Sequence, residues 1–448
     1  MDKINRYELS DIDKGGLSKI VKAFIFYELQ PTSDVDKLIS SLTEGVRNAT
    51  RQLPFLAGDI QVDDSGKLYI MTPQESKLDI TVRRFGSTQH KSLSTLAKNS
   101  FSPKDLDPTL LLPEEPADKK QACALQLSLI EGGLILGLRI NHAVGDWSSI
   151  DRFLSLICQS SKAHQECSKM PTYTPDLNRS PYNTPAIDPS ISRQDFLDRL
   201  PLFNVIEKSQ FKMKPPPPSV SGIYKISEST IQQLKAQCAP YLSGVDYITS
   251  YDCISALIWT SITRARLHLH PEKTNSQSRF VHPIDVRSRD PENETSEKYF
   301  GNAVIGTQAG PLTAQTLVSD GDRGLAAAAT LIRQSVNFIS LSSIKAMTAL
   351  TASLSSTEML SLHADFTEMD MFMNSWYSGS AEQYEIGGAL VPVAFRLSSA
   401  MMGACAVLLP NFSKGATRVF EVLIHLTVEE HELLRQDEEF LKYFEILV

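Results

Sequence analysis

The stretch LILGLRINHAVGDWSSI, residues 134–150, decides the reading of this chain. Leu134, Leu136, Leu138 and Ile140 alternate with Ile135, Gly137, Arg139 and Asn141, which is the period of a half-buried β-strand. The alternation stops at His142. The chain then turns through Gly145 and Asp146, and residues 147–154 read as the start of a helix. A histidine at the end of a buried strand, beside a glycine turn, is held in place yet reachable by a substrate, as a general base must be. On these residues alone a satisfied structural histidine fits as well, because one His-x-x-x-Asp pair is a weak signal among nine histidines.

A chain of 448 residues is long for one core and predicts two domains of about 200 residues each. Hydrophobic residues at 42% and charged residues at 21% describe a globular protein. A net charge of −8 argues against nucleic acid or an anionic membrane as partner. The stretch MDKINRYELSDIDKGG lacks the apolar centre of a secretory signal, and no run of 18 apolar residues predicts a membrane span. Cys123, Cys158, Cys167, Cys238, Cys253 and Cys405 are scattered without a CxxC pair and read as reduced thiols of a cytoplasmic protein. The sequons at Asn48, Asn178, Asn293 and Asn411 are then chance matches.

Outward from the opening stretch, residues 122–130 pair most simply with residues 134–140 across Glu131-Gly132-Gly133. Residues 18–29 read as a strand, 34–50 as a helix, and 59–62 with 68–71 as a hairpin. From 160 to 221 the pattern dissolves into recurring prolines, ending in the run Pro215 to Pro218, a stiff extended spacer. A short helix at 195–207 is expected inside it. Strands are expected at 222–226, 280–286, 300–305, 391–397, 405–409 and 419–426, and helices at 227–238, 247–268, 325–338, 340–356 and 428–443. The fold class is α/β, with two similar-size domains of mixed sheets covered by helices: 1–160, a crossover at 161–221, and 222–448.

Absent motifs narrow the chemistry. There is no GxGxxG after a strand, no GxxxxGK[ST], no GxSxG elbow, no HExxH and no Cys/His cluster, so dinucleotide, P-loop, α/β-hydrolase and metal readings fall away. A positioned histidine without a serine or cysteine nucleophile suits direct proton abstraction from an acceptor, as in acyl transfer from an activated ester. That reaction also needs donors for the developing oxyanion.

Several short motifs in order then carry a resemblance. Pro54-Phe55-Leu56-Ala57-Gly58 resembles a PxxAG segment, and His142-Ala143-Val144-Gly145-Asp146 an HxxxD motif. The stretch from Ser250 to Trp259 with Thr263-Arg264-Ala265-Arg266 resembles S-x-D-x-x-x-A-x-x-W followed by RAR. Asp285-Val286-Arg287-Ser288-Arg289 resembles DxRxR, Tyr299-Phe300-Gly301-Asn302 matches YFGN, and Asn374-Ser375-Trp376 stands where TSW is found. Over nearly its whole length the chain resembles the BAHD-type acyl-CoA-dependent acyltransferases, and particularly their fungal branch of trichothecene acetyltransferases. The resemblance implies a chloramphenicol acetyltransferase-like fold with the active-site channel between two domains. It implies His142 as the base that deprotonates an acceptor alcohol or amine, and acyl-CoA, with acetyl as the group, as co-substrate. Asp146 would turn from the substrate to pair with Arg287, supported by Asp285, while Trp376 and Asn374 would line the site near the thioester oxygen. A monomer acting on a small-molecule alcohol, with no metal, is expected; no residue is assigned to coenzyme A.

Three departures stand out. The DFGWG signature is reduced to Tyr384-Glu385-Ile386-Gly387-Gly388-Ala389-Leu390-Val391-Pro392, although Pro392 and Arg396 fit the Px3R that follows. Trp147 replaces the glycine that commonly follows the HxxxD aspartate, and Asn141 stands where condensation domains carry a second histidine. Two other readings therefore stand beside the acyl-CoA transferase: a relative taking its acyl group from a carrier protein, and a non-catalytic ligand-binding homologue.

Overall fold

The computed structural model describes residues 4–74, 77–186, 188, 190–212, 215, 217–292, 294–318, 321–377, 383–388, 390–398, 403–410, 412 and 418–448. Pro216, the sequons at Asn293 and Asn411, and Ala389 lie outside the described residues. In chain order the strands of the two large sheets are β1 (Ile20–Glu28), β2 (Ile80–Arg84), β3 (Cys123–Ile130), β4 (Gly133–Asn141), β5 (Ser219–Ser227) and β6 (Gln277–Asp285). There follow β7 (Val304–Thr313), β8 (Met371–Ser375), β9 (Pro392–Leu397), β10 (Cys405–Leu408), β11 (Val419–Thr427) and β12 (Glu445–Ile446). One sheet has the order β9-β1-β4-β3-β2 and the other β7-β6-β8-β10-β11-β5-β12. Both are mixed: β2 runs parallel to β3, β8 runs parallel to β6 and β10, and their other neighbours are antiparallel.

The expected β3–β4 hairpin is present, with Leu129 opposite Leu134 and Cys123 opposite Ile140. Expected as half-buried, β4 is instead buried on both faces. Leu134, Leu136, Leu138 and Ile140 face the helices α1 (Val35–Gln52) and α2 (Trp147–Gln165), packing with Leu42, Val46, Phe153 and Ile157. Ile135 faces a second core with Phe24, Phe26, Leu96 and Leu112. Alternation of large apolar residues with Gly137 and Arg139 concealed this. At Gly137 the second face is covered by backbone, and a Cβ there would lie 2.3 Å from the Leu111 carbonyl oxygen.

The second sheet buries Phe280, Met371, Ala406, Val422 and Ile424 under α3 (Ser250–Leu269) and α4 (Gly321–Phe338). Its opposite face gives Ile223, Val407, Leu409 and Leu423 to the same core as β4 and α2. Apolar burial is proportional to the area removed from water, so this shared core holds the halves together. The edge strand β9, from residues 392–397, also belongs to the sheet built by the first 141 residues.

Four elements differ from expectation. Residues 195–207 are not one helix: Arg193–Leu197 is helical, and Phe203–Glu207 is a strand paired with Glu358–Leu362. That partner lies about 150 residues downstream, beyond any local pattern. The helix expected from 247 begins at Ser250, where Thr249 and Asp252 form a capping box. The closing helix is two, Val428–Leu434 and Glu438–Leu441, because Asp437 caps a new start by accepting from the Glu439 and Phe440 N–H groups. Residues 300–303 precede β7, and their amides have other partners, described below.

His282 on β6 is fully buried between Tyr251, whose hydroxyl lies 3.1 Å from Nδ1, and Ser335, 2.9 Å from Nε2. Burial, aided by the Arg333 charge, pushes its pKa down to about 3. An unfolded-chain histidine titrates near 6.5, so below that pH the unfolded state binds a proton that the folded state refuses. The resulting stability is complete above 6.5 and is lost as pH falls toward 3. Urea unfolding at pH 7 and pH 5 should show the wild type losing about 2 kcal/mol more than His282→Gln.

Candidate active site

His142 sits on the turn after β4, and both polar groups of its main chain are engaged. Its N–H donates to the Lys19 carbonyl at 2.9 Å, and its carbonyl accepts from Asn302 Nδ2 at 2.8 Å. Asn141 braces the same turn, accepting from the Ala143 N–H at 2.9 Å and donating to the Leu17 carbonyl at 3.1 Å. The residue at the second-histidine position is therefore a turn former. Gly16 packs so closely that a Cβ would stand 2.5 Å from the His142 carbonyl carbon. The imidazole is partly exposed, and among the described residues no hydrogen bond occupies its ring nitrogens.

No hydrogen bond joins the Asp146 carboxylate to that ring among the described residues. Asp146 caps α2, where Oδ1 accepts from the Ser149 N–H at 3.3 Å. Arg287 donates to both carboxylate oxygens at 2.9 Å and reaches Asp285 Oδ2 at 2.7 Å, the Gly301 carbonyl at 2.8 Å and the Tyr299 carbonyl at 3.2 Å. This fork-to-fork geometry is the strong form of the arginine–carboxylate pair. Burial works against the Arg287 charge, but the Asp146 and Asp285 carboxylates outweigh it and hold its pKa above the ordinary arginine value. Asp285 also accepts from the Ser148 hydroxyl at 2.7 Å.

The YFGN strip joins the two halves. Its amides donate in succession: Phe300 to the Asp176 carbonyl at 2.9 Å, Gly301 to Ser149 Oγ at 3.0 Å, Asn302 to Asp13 Oδ1 at 3.1 Å and Ala303 to Asp146 Oδ2 at 2.8 Å. This explains why the segment is not the strand its composition suggests. Its groups are spent on the His142 turn and on the cap of α2.

Trp376 follows β8 and is 8% exposed. Its ring stacks on Trp147 at 4.6 Å between centroids, and Phe395 closes the cluster edge-on. Trp147 thus places an aromatic wall where a glycine is common, and its buried indole N–H has no hydrogen-bond partner among the described residues. Asn374 Oδ1 accepts from the Ser375 N–H at 2.8 Å. The ladder between the parallel strands β6 and β8 ends after Phe280/Met371 and Val281/Phe372, on the approach to Asp285 and Trp376.

The altered signature lies elsewhere. Glu385 is 3.8 Å from Lys162, Gly387 and Gly388 take left-handed backbone (φ 60° and 71°), and the buried Tyr384 hydroxyl donates to Asp151 on α2. Arg396 is buried against the Ser100 and Phe101 carbonyls and Glu421. Arg396 thus joins β9 to the turn at Ser100 and Phe101 and to β11 of the second sheet, and none of these contacts involves His142. Among the described residues no group of three His, Cys, Asp or Glu side chains could hold a metal, and no helix is long and apolar enough to cross a membrane.

Asp146, Arg287 and Asp285 are therefore brought together at the His142 turn, and Trp376 reaches it through Trp147. Sequence reasoning missed Asp13, Ser149 and the role of Asn302. The Ser10-x-x-Asp13 spacing was the available signal, since Asp13 accepts from both the N–H and the hydroxyl of Ser10.

Fold and site together define an acyltransferase. The sequence profile of the Transferase family matches residues 2–441, and the chain belongs to this family of BAHD-type enzymes. Within it the chain resembles the fungal trichothecene acetyltransferases. Acyltransferase cm3D of Cordyceps militaris is 25% identical over 477 aligned residues, spanning 98% of this chain and 96% of that protein. Trichothecene 3-O-acetyltransferase TRI101 of Fusarium sporotrichioides is 22% identical, across 95% of this chain and 94% of the relative. The crystal structure of F. sporotrichioides TRI101 with coenzyme A and T-2 superposes with a TM-score of 0.81 at 21% identity, covering 99% and 100% of the two chains. Vinorine synthase gives 0.69 at 16% identity, over 98% of this chain and 93% of its own. These superpositions establish the chloramphenicol acetyltransferase-like fold.

Proposed function

We propose that this protein transfers an acyl group, acetyl in the first instance, from acyl-CoA to a hydroxyl of a secondary metabolite in a direct ternary complex. His142 takes the hydroxyl proton as the alkoxide attacks the thioester carbonyl. The tetrahedral oxyanion collapses, the C–S bond breaks, and the imidazolium returns the proton to the leaving thiolate. No acyl-enzyme forms. Asn374 and Trp376 are the groups assigned to the oxyanion side, each able to donate an N–H. Asp146, Arg287 and Asp285 hold the turn and take no part in proton transfer.

The observation that carries this reading is a histidine clamped through both main-chain polar groups while its ring is left for a substrate. The names of the similar fungal proteins support acetyl as the group and a secondary metabolite as acceptor, and the coenzyme A held by TRI101 supports the donor. Six cysteines scattered without a CxxC pair, five of them buried, support a reducing cytoplasm.

The test is thiol release from a panel of acyl-CoAs, with a metabolite extract as acceptor and mass spectrometry of the products. Acetyl-CoA should be consumed by the wild type, with one acetylated product, and not by His142→Ala. Turnover of none of the thioesters would replace this reading with a carrier-protein-dependent or non-catalytic one.

A further inference from the structure

We propose that Asp13, in the N-terminal turn Ile12–Gly16, is a positioning residue for the reaction, acting on His142 through the carboxamide of Asn302. The inference rests on the reading of His142 as the base. Asp13 is fully buried, and each carboxylate oxygen has its own task. Oδ2 accepts from the Ser10 N–H at 2.7 Å and the Ser10 hydroxyl at 2.6 Å. Oδ1 accepts from the Asn302 N–H at 3.1 Å and from Asn302 Nδ2 at 2.7 Å.

The second hydrogen on Nδ2 goes to the His142 carbonyl at 2.8 Å. Both amide hydrogens thus point at acceptors, Asp13 on one side and His142 on the other. The carboxamide cannot flip without setting its oxygen against a carboxylate and a carbonyl. Asn302 is 4% exposed and its Oδ1 has no partner among the described residues, so the Asp13 and His142 contacts decide its orientation. The same N-terminal segment supplies the Lys19 carbonyl for the His142 N–H and places Gly16 against the His142 peptide. Residues 10–19 therefore hold the catalytic turn from three sides. The Asp13–Asn302 pair links this hold to the second half of the molecule, where Ile12 also packs against the core around Ile284 and Tyr299. Misplacement of a reacting group by about 1 Å can cost about 100-fold in rate, so this anchor sets the rate rather than donor affinity.

The experiment uses the full-length protein with acetyl-CoA as the probe and the metabolite extract as acceptor. Asp13→Asn and Ser10→Ala are compared in wild-type and His142→Ala backgrounds, with rates expressed per folded molecule from circular dichroism. Asp13→Asn keeps the size of the side chain but sets an amide N–H2 against donors. It should lower the saturated rate about 10- to 100-fold and move the KM for acetyl-CoA by no more than about threefold. In the His142→Ala background the same substitution should change the residual rate less than about twofold, because the group it positions is gone. Ser10→Ala removes one of the four hydrogen bonds to Asp13 and should give a smaller loss of the same kind; it carries the test if Asp13→Asn does not fold. An undiminished rate per folded molecule, or an equal loss in both backgrounds, overturns the inference. If His142→Ala is inactive and Asp13→Asn fully active, this inference alone falls; if His142→Ala retains the wild-type rate, the base assignment falls with it.

Discussion

Replacing His142 by alanine should lower kcat/KM about 1,000-fold while leaving the stability of the fold nearly unchanged. The two halves of this expectation come from different parts of the residue. The main chain of His142 does the structural work: N–H to Lys19, carbonyl to Asn302, and peptide packed on Gly16. Alanine keeps all of these. The imidazole is partly exposed and bonds to none of the described residues, so its loss opens no buried cavity and orphans no partner. A positioned general base contributes about 10²–10⁴-fold, or about 3–5 kcal/mol of the barrier. Among the other described histidines, His282, His425 and His431 are buried in the second half and bonded to Tyr251, Ser221 and Tyr224, so none can substitute. Steady-state kinetics with acetyl-CoA, alongside urea unfolding, gives both numbers. A variant that loses rate and stability in proportion would mean that the ring is structural.

Arg287→Ala is expected to have the reverse balance, with a stability loss of about 3–5 kcal/mol and an activity loss that follows from it. The guanidinium, 5% exposed, neutralises Asp146, 3% exposed, and also holds Asp285 and the Tyr299 and Gly301 carbonyls. Removing it leaves the buried Asp146 carboxylate with two backbone N–H donors, from Ser149 and Ala303, but no countercharge. Arg287→Lys should recover only part of the loss, because an ammonium cannot make the planar two-point contact with Asp146 while also reaching Gly301 and Tyr299. The informative comparison is the double variant Asp146→Leu/Arg287→Met, which removes both charges together. By the general behaviour of buried pairs it should be more stable than Arg287→Ala alone, yet still slow, because Ala303 loses the acceptor that fixes the YFGN strip. Urea midpoints for the three variants decide the matter. A double variant weaker than the single would show that the site depends on the charge pair itself.

Much of this was legible in one dimension because the responsible interactions are local. The β3–β4 hairpin follows from alternation across Glu131-Gly132-Gly133, and α1 follows from apolar spacing with Asp34 as its cap. The turn at His142 follows from the end of that alternation. The Asp146–Arg287 pairing could be anticipated from the resemblance, but its geometry could not. Where prediction failed, the deciding partner was distant. Phe203–Glu207 became a strand because Glu358–Leu362 pairs with it, and β4 lost its solvent face because Leu111 and Leu112 close over Gly137. Residues 300–303 left the strand pattern because four acceptors, scattered from residue 13 to residue 176, take their amides.

By itself, then, the sequence determined the α/β class, the strand that ends in His142, the helix after Asp146 and the acyltransferase family. Periodicity, capping and turn residues act over a few positions, and ordered motifs survive when overall identity is low. Tertiary structure decided what holds His142. Asp13, Asn302 and Lys19 engage it through hydrogen bonds spanning up to 289 residues, and β9 crosses from residues 392–397 into the first sheet. A hydrogen bond between distant residues leaves no periodic trace in the chain, because it depends on where two surfaces meet once the shared core has closed.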